Sequence, residues 1–470
     1  MSIASLPHDR TERPERHAHT ALAGRRDRLR AVAPASPTPL PAVVGAGLQV
    51  PTLGGGRVDH ANLDHAASAP ALVEVAGAVD AALRTYSSVH RGRGWASQLT
   101  SRWYEQARDE VAAFVGAREG DHVVFTRNTT DALNLLARAL PRHTSVVVFE
   151  SEHHAALLPW DVRRTVRLPV PGSTRDAAAL LESALAGASR GERLVVLSGA
   201  SNVTGELWPV AELAAVARRH GARVALDAAQ LAPHRRVDVA ALGVDYVALS
   251  GHKLYAPFGA GALVGRGDWL DAARPYLAGG GATAAVTERG TTWQTGPARH
   301  EGGSPNVLGA VALAAACSVL TRDAAAVQAH ERRLGARLAE GLAGIDGVEV
   351  LSLFGADHDR LPVAAFTVEG LEPGLVAAAL SAEHGIGVRD GRFCAHLLVD
   401  ALLEQPSAAQ PTAAVRVSLG LGTTEEHVER LLGALHRLAD DGPSGEYVCG
   451  PDGWGPVRDT RDLAEVPRPW

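Results

Sequence analysis

Between about residues 60 and 265 the chain alternates short, unbroken aliphatic and β-branched runs with Ala-, Leu- and Arg-rich stretches. The runs His122–Thr126, Ser145–Phe149, Leu194–Ser198, Arg223–Asp227, Tyr246–Ser250 and Ala260–Val264 read as strands. Ser101–Val115, Asp131–Leu140, Asp176–Ala188 and Val210–His220 read as helices. A strand that is apolar along its whole length must be covered on both faces, and helices between successive strands supply that cover. The pattern predicts an α/β fold around a large, mostly parallel sheet.

Beyond Thr321 the pattern changes. A helix, Asp323–Leu342, leads into strands at Gly347–Leu353, Pro362–Val368, Ile386–Arg389 and Val415–Ser418. Helices at Pro373–Glu383 and Glu425–Leu438 complete a smaller α+β unit, the proline suiting a first helical turn. The expected division is a flexible tail over 1–45, a large domain over 46–325, a small C-terminal domain over 326–440 and a second tail over 441–470. The Pro-rich 34–41 stretch reads as linker. The Gly-, Pro- and Trp-rich second tail either wraps the surface or stays loose.

Composition excludes several functions. The 470 residues carry 46 Lys+Arg against 52 Asp+Glu, a net charge of −6 that offers nothing to nucleic acid or an anionic membrane. Aromatics are sparse at 4%, which leaves little for base stacking. Three cysteines in this length make no disulfide framework, and no CxxC pair is present to hold zinc. The first forty residues lack an apolar secretory core and hold too many acids for a transit peptide. The apolar run Val307–Leu320 is too short to span a bilayer. The expectation is a soluble, cytoplasmic protein with no bound metal.

One count stands out: 45 arginines and a single lysine, Lys253. Arginine replaces lysine as a surface cation, but not as an amine nucleophile, because guanidinium does not give up its proton. Lys253 sits in VALSGHKLYAPFGAGALVG, in a Gly-bounded turn between two strands. Ligands in an open α/β sheet lie at the carboxyl ends of strands, and a lysine desolvated there can form a Schiff base with a carbonyl. Asp227 ends the strand before it, in RVALDAAQ. Alone it would read as a helix cap. Paired with Lys253 on consecutive strand ends, it suits a pyridinium nitrogen, the electron sink of pyridoxal phosphate (PLP).

Other segments fit the same chemistry. HVVFTRNTTDALNLLARAL is a strand, a polar turn and a helix whose start carries Asn128, Thr129 and Thr130, suited to a phosphate or simply to an N-cap. VVVFESEHHAALLPW places His153 and His154 after another strand, where an imidazole can lie on an aromatic cofactor and move protons. Adjacent histidines lack the spacing of a helical metal-ligand pair. Arg389 and Cys394 in GIGVRDGRFCAHLL and Arg416 in AAVRVSLGL complete the set. An arginine fork suits a carboxylate. By default each arginine is a solvated charge and Cys394 a small buried residue.

SGHKLYAPFGAGAL, LDAAQLAPHRRVDVAALGVDYVALSGHK, FTRNTTDALNLLA and SEHHAALLPW resemble the class V aminotransferase family of fold-type I PLP enzymes, and within it the cysteine desulfurase and selenocysteine lyase group. The resemblance runs from about Asn62 to about Leu438 and implies a seven-stranded-type sheet. It implies Lys253 as the Schiff-base lysine, Asp227 on the pyridine nitrogen, Gln230 on the ring oxygen and His153 stacked on the ring. Thr129, Thr130, Ser250 and His252 would hold the phosphate, with Ser304 of RHEGGSPN reaching it from the other subunit of a homodimer. Asn202 of SNVTG would lie near the ring oxygen and the substrate carboxylate, which Arg416 and Arg389 would bind. Cys394 falls where desulfurases keep the sulfur-accepting cysteine. Leu397 replaces the proline usual after that cysteine, and the Cys394–Arg416 interval, with LLEQPSAAQPT, is longer than the family pattern.

Two functions follow from this reading. One is sulfur transfer from cysteine or a related amino acid to Cys394, giving alanine, with a sulfur-acceptor protein as a further partner. The other keeps PLP but performs C–S lysis, epimerisation or transamination, with Cys394 only lining the site. A scaffold that has lost its cofactor is a third class, opposed by Lys253 in its full motif.

Overall fold

The computed structural model describes residues 39–187, 191–403 and 412–461. The N-terminal stretch to residue 38, the 404–411 part of the long interval and residues 462–470 lie outside them. The large sheet has seven strands: β1 Asp121–Thr126, β2 Ser145–Phe149, β3 Thr165–Leu168, β4 Arg193–Ser198, β5 Arg223–Asp227, β6 Tyr246–Ser250 and β7 Gly261–Arg266. Their order is β1-β7-β6-β5-β4-β2-β3. Only β7 runs against its neighbours β1 and β6; the other pairs are parallel.

Strand periodicity explains the two-sided cover. Val147, Phe149, Val195, Leu197, Val224 and Leu226 pack on one face, against the helices Thr174–Ala186 and Val210–Arg219. Val146, Val148, Leu194, Val196 and Ala225 point the other way, onto the helix Thr129–Ala139 through Leu133 and Leu136. Each fully buried Val, Leu or Phe among them contributes roughly 1.5–3 kcal/mol. That helix begins two residues earlier than its apolar period predicts, because Asn128 caps it by accepting the Asp131 N–H at 3.0 Å.

The helix Val307–Arg322 is mostly buried and bends by 77° at Asp323 into Ala324–Ala343. Among the described residues no single helix is long and apolar enough to cross a membrane. A second, antiparallel sheet follows, with strands β8 Val348–Val350, β9 Val363–Val368, β10 Arg389–Gly391 and β11 Ala414–Ser418 in the order β8-β9-β11-β10.

Some features differ from or add to the sequence reading. The edge strand β3 and the hairpin Thr283–Thr287/Gly290–Trp293 were not expected; both are largely exposed and lack apolar runs. The expected strand Ile386–Arg389 is two pieces: Ile386–Gly387 pairs in parallel with Ala61–Asn62, while β10 pairs with β11. The C-terminal segment folds back as a hairpin, Tyr447–Gly450/Gly453–Pro456, whose Tyr447 hydroxyl donates to Glu383 at 2.9 Å.

Candidate active site

The carboxyl ends of β1, β2, β4, β5 and β6 converge on one cavity of about 180 Å³, and β10 and β11 close it from the small sheet. Every site residue expected from the sequence lines this cavity except Ser304. Ser304 is exposed and lines a separate concavity with Tyr104, Tyr276 and Glu301.

Lys253 follows β6 in a turn so tight that a Cβ on Gly251 would stand 2.5 Å from the Ala260 carbonyl oxygen. Burial lowers the Lys253 ammonium to about 8, with Asp227 pulling the other way and Arg416 adding to the depression. Burial thus favours the neutral, nucleophilic amine more than at an exposed lysine. Asp227, at the end of β5, is buried, and burial raises its pKa; the Ala229 N–H at 2.9 Å and Lys253 oppose the rise. Gln230 donates to the Ala66 carbonyl at 2.9 Å, which fixes its amide at the cavity wall.

His153 is held neutral. Burial, and then the neighbouring Lys253, lower it to about 3. Its Nδ1 accepts the Ala155 N–H at 3.0 Å, so the single ring proton resides on Nε2. Also lining the cavity, the Thr129 N–H donates to the Ser250 hydroxyl at 2.9 Å, and that hydroxyl reaches the Thr129 hydroxyl at 2.9 Å. With Thr130 they gather hydroxyls at the start of an eleven-residue helix, a setting suited to phosphate.

The third wall is cationic. Arg416 is 3% exposed; its Nη1 donates to the Asn202 carbonyl at 2.9 Å and its Nη2 to Asp64 at 2.7 Å. Its Nε is buried with no partner. Arg389, exposed, stands opposite it across β10 and β11. Cys394 is exposed at the same wall, and it and Phe393 both hold left-handed backbone, with φ of 54° and 51°. Such angles cost non-glycine residues about 1–3 kcal/mol each and persist only where neighbours impose them. Here the Asn202 amide takes the Phe393 carbonyl at 2.7 Å, and the His154 N–H takes the Cys394 carbonyl at 2.8 Å.

Three participants escaped the sequence reading. Asp64 neutralises Arg416 from 352 residues away. Phe393 seats its ring 5.1 Å from the Arg416 guanidinium carbon. Glu152, 1% exposed, accepts both the N–H and the hydroxyl of Ser198, which lines the cavity beside Asp227. Only Glu152 had a local signal, an acid set between an apolar strand and two histidines.

A buried amine of lowered pKa, an acid at the neighbouring strand end, a neutral imidazole and a phosphate-type helix start form a donor set that fits PLP. Together with the sheet they define a class-V aminotransferase fold. The family model Aminotransferase class-V matches residues 61–431, and the chain belongs to that family. It is 35% identical over 379 residues to a probable cysteine desulfurase of Vibrio cholerae, a match covering 77% of this chain and 90% of the relative. Among solved structures, a cysteine desulfurase of Thermococcus onnurineus is 32% identical with a TM-score of 0.73, covering 81% of this chain and 94% of that one. One of Escherichia coli is 31% identical with a TM-score of 0.70, covering 80% and 94%.

Proposed function

We propose that this chain is a PLP-dependent cysteine desulfurase, and the observation that carries the proposal is the meeting of Lys253, the Arg389–Arg416 pair and Cys394 at one cavity. The relatives' names support the same substrate. Lys253 would bond the cofactor, Asp227 would face its ring nitrogen, Gln230 and Asn202 its ring oxygen, His153 its ring face, and Thr129, Thr130, Ser250 and His252 its phosphate. Bound there, the cofactor supplies an electron sink for the bonds at the substrate's α-carbon.

The chain's own groups do the rest. Arg416 Nε and the Arg389 fork bind the substrate carboxylate. The Lys253 amine, its pKa lowered by burial, moves the proton at Cα. The Cys394 thiolate bonds to the substrate sulfur as the Cβ–S bond breaks. The bonding pair stays with the carbon, which takes a proton and leaves as the methyl group of alanine. The enzyme keeps a persulfide, to be passed to an acceptor thiol, including one on a sulfur-acceptor protein.

The test is turnover of L-cysteine by wild type and Cys394→Ser, with alanine, sulfide, pyruvate and ammonia measured separately. Alanine from wild type and none from the variant, with the cofactor's absorbance retained in both, supports sulfur transfer. Pyruvate and ammonia from both would instead establish the lyase reading.

We further propose a cytoplasmic homodimer in which Ser304 completes the partner's phosphate site. Its exposure outside this chain's own cavity supports that reading. Sedimentation that finds an active monomer at assay concentration would contradict it.

A further inference from the structure

Cys394 is held by a closed circuit of contacts. Arg416 donates to the Asn202 carbonyl, the Asn202 side chain donates to the Phe393 carbonyl, and the Phe393 ring returns to lie against the Arg416 guanidinium. The circuit joins the carboxylate-binding arginine to the residue preceding the thiol. Arg416 is also anchored by Asp64, and Phe393 is only 4% exposed. The two successive left-handed residues are the sign that the loop is imposed from outside rather than chosen by its own backbone preferences.

We propose that Phe393 is a positioning residue for sulfur transfer: its ring on Arg416 and its carbonyl on Asn202 aim the Cys394 thiol at the substrate that Arg416 holds. The proposal rests on the desulfurase reading and adds to it the residue that sets the thiol's register. An aromatic face is required because a guanidinium plane is attracted to a ring's electron-rich face. An aliphatic side chain of similar volume would fill the space without that attraction. The step served is the one given above, in which the Cys394–sulfur bond forms and the Cβ–sulfur bond breaks. Its rate depends steeply on placement, since a displacement of about 1 Å costs on the order of a hundredfold.

The experiment compares Phe393→Tyr and Phe393→Leu in the holoenzyme with L-cysteine. Tyr is expected to stay within about threefold of wild type. Leu should lose on the order of ten- to a hundredfold in kcat with KM little changed and the cofactor's absorbance intact. The rate at which iodoacetamide alkylates Cys394, read by mass spectrometry of its peptide, should change in the Leu variant and not in the Tyr variant. Wild-type kcat in the Leu variant, or a loss confined to KM with alkylation unchanged, would overturn the proposal. Cys394→Ser is run in parallel to separate the two ideas. If it retains full alanine formation the desulfurase reading fails; if it is inactive while Phe393→Leu turns over normally, only the role of Phe393 fails.

Discussion

Arg389 and Arg416 stand directly opposite each other on antiparallel strands, with their α-carbons in register and both side chains at one cavity. Like charges so placed repel. Asp64 offsets one of them, and among the described residues Arg389 has no acidic partner, which leaves the pair one anion short. A substrate carboxylate supplies it. Arg416→Lys keeps the charge but not the fork, so kcat/KM for L-cysteine should fall on the order of a hundredfold, mostly through KM. Arg389→Gln should raise KM less, on the order of tenfold. Steady-state kinetics on both variants decide this; an unchanged KM in Arg416→Lys would mean the carboxylate binds elsewhere.

Lys253 is expected to be irreplaceable even by arginine. Both Lys253→Ala and Lys253→Arg should abolish turnover and the cofactor's bound absorbance. Because burial lowers the ammonium to about 8, capture of pyridoxal phosphate by the cofactor-free chain should accelerate as pH rises to about 8 and then level off. A rate still climbing toward pH 10 would show an amine that is not desolvated.

Glu152 should make the fold less stable as pH rises. Burial pushes its carboxyl from an ordinary 4.5 up to about 8; the two Ser198 bonds oppose this and Asp227 adds to it. A raised acid contributes its stability fully below pH 4.5 and loses it as pH climbs through 8. Glu152→Gln cannot ionise. Whatever its fixed offset, its melting temperature should rise relative to wild type between pH 5 and pH 8. A difference independent of pH would contradict the assignment.

Gly205 should tolerate no side chain. Its φ is +73°, and a Cβ there would stand 2.8 Å from the Val363 carbonyl oxygen of β9. Gly205→Ala is expected to destabilise the protein by about 2 kcal/mol or more, visible as a lower denaturant midpoint. A midpoint equal to wild type would mean the contact yields freely.

What the sequence revealed tracks how local its cause is. Lys253 was legible because it is alone among arginines and follows an apolar strand, and β2, β4, β5 and β6 because each is buried on both faces. The edge strand β3 was not, since Val166 and Arg167 are exposed and only Leu168 is buried. Ile386–Arg389 looked like one strand because nothing nearby reveals that its halves pair with segments far apart in the chain. Phe393 stayed hidden for the same reason: its carbonyl is held by Asn202, 191 residues away.

The tie between Asp64 and Arg416 also sets an order of assembly. Ala61–Asn62 pairs with Ile386–Gly387, and the Ala66 N–H rests on the Ser418 hydroxyl at 2.9 Å. A ribosome delivers residues 61–66 early and must release more than three hundred further residues before their partners emerge. By then β1 to β7, with Lys253 and Asp227, have left the exit tunnel. The anion clamp is thus the last part of the site to close on a nascent chain. A chain interrupted before residue 389 would carry the lysine and its acid but neither arginine of the pair that grips a carboxylate.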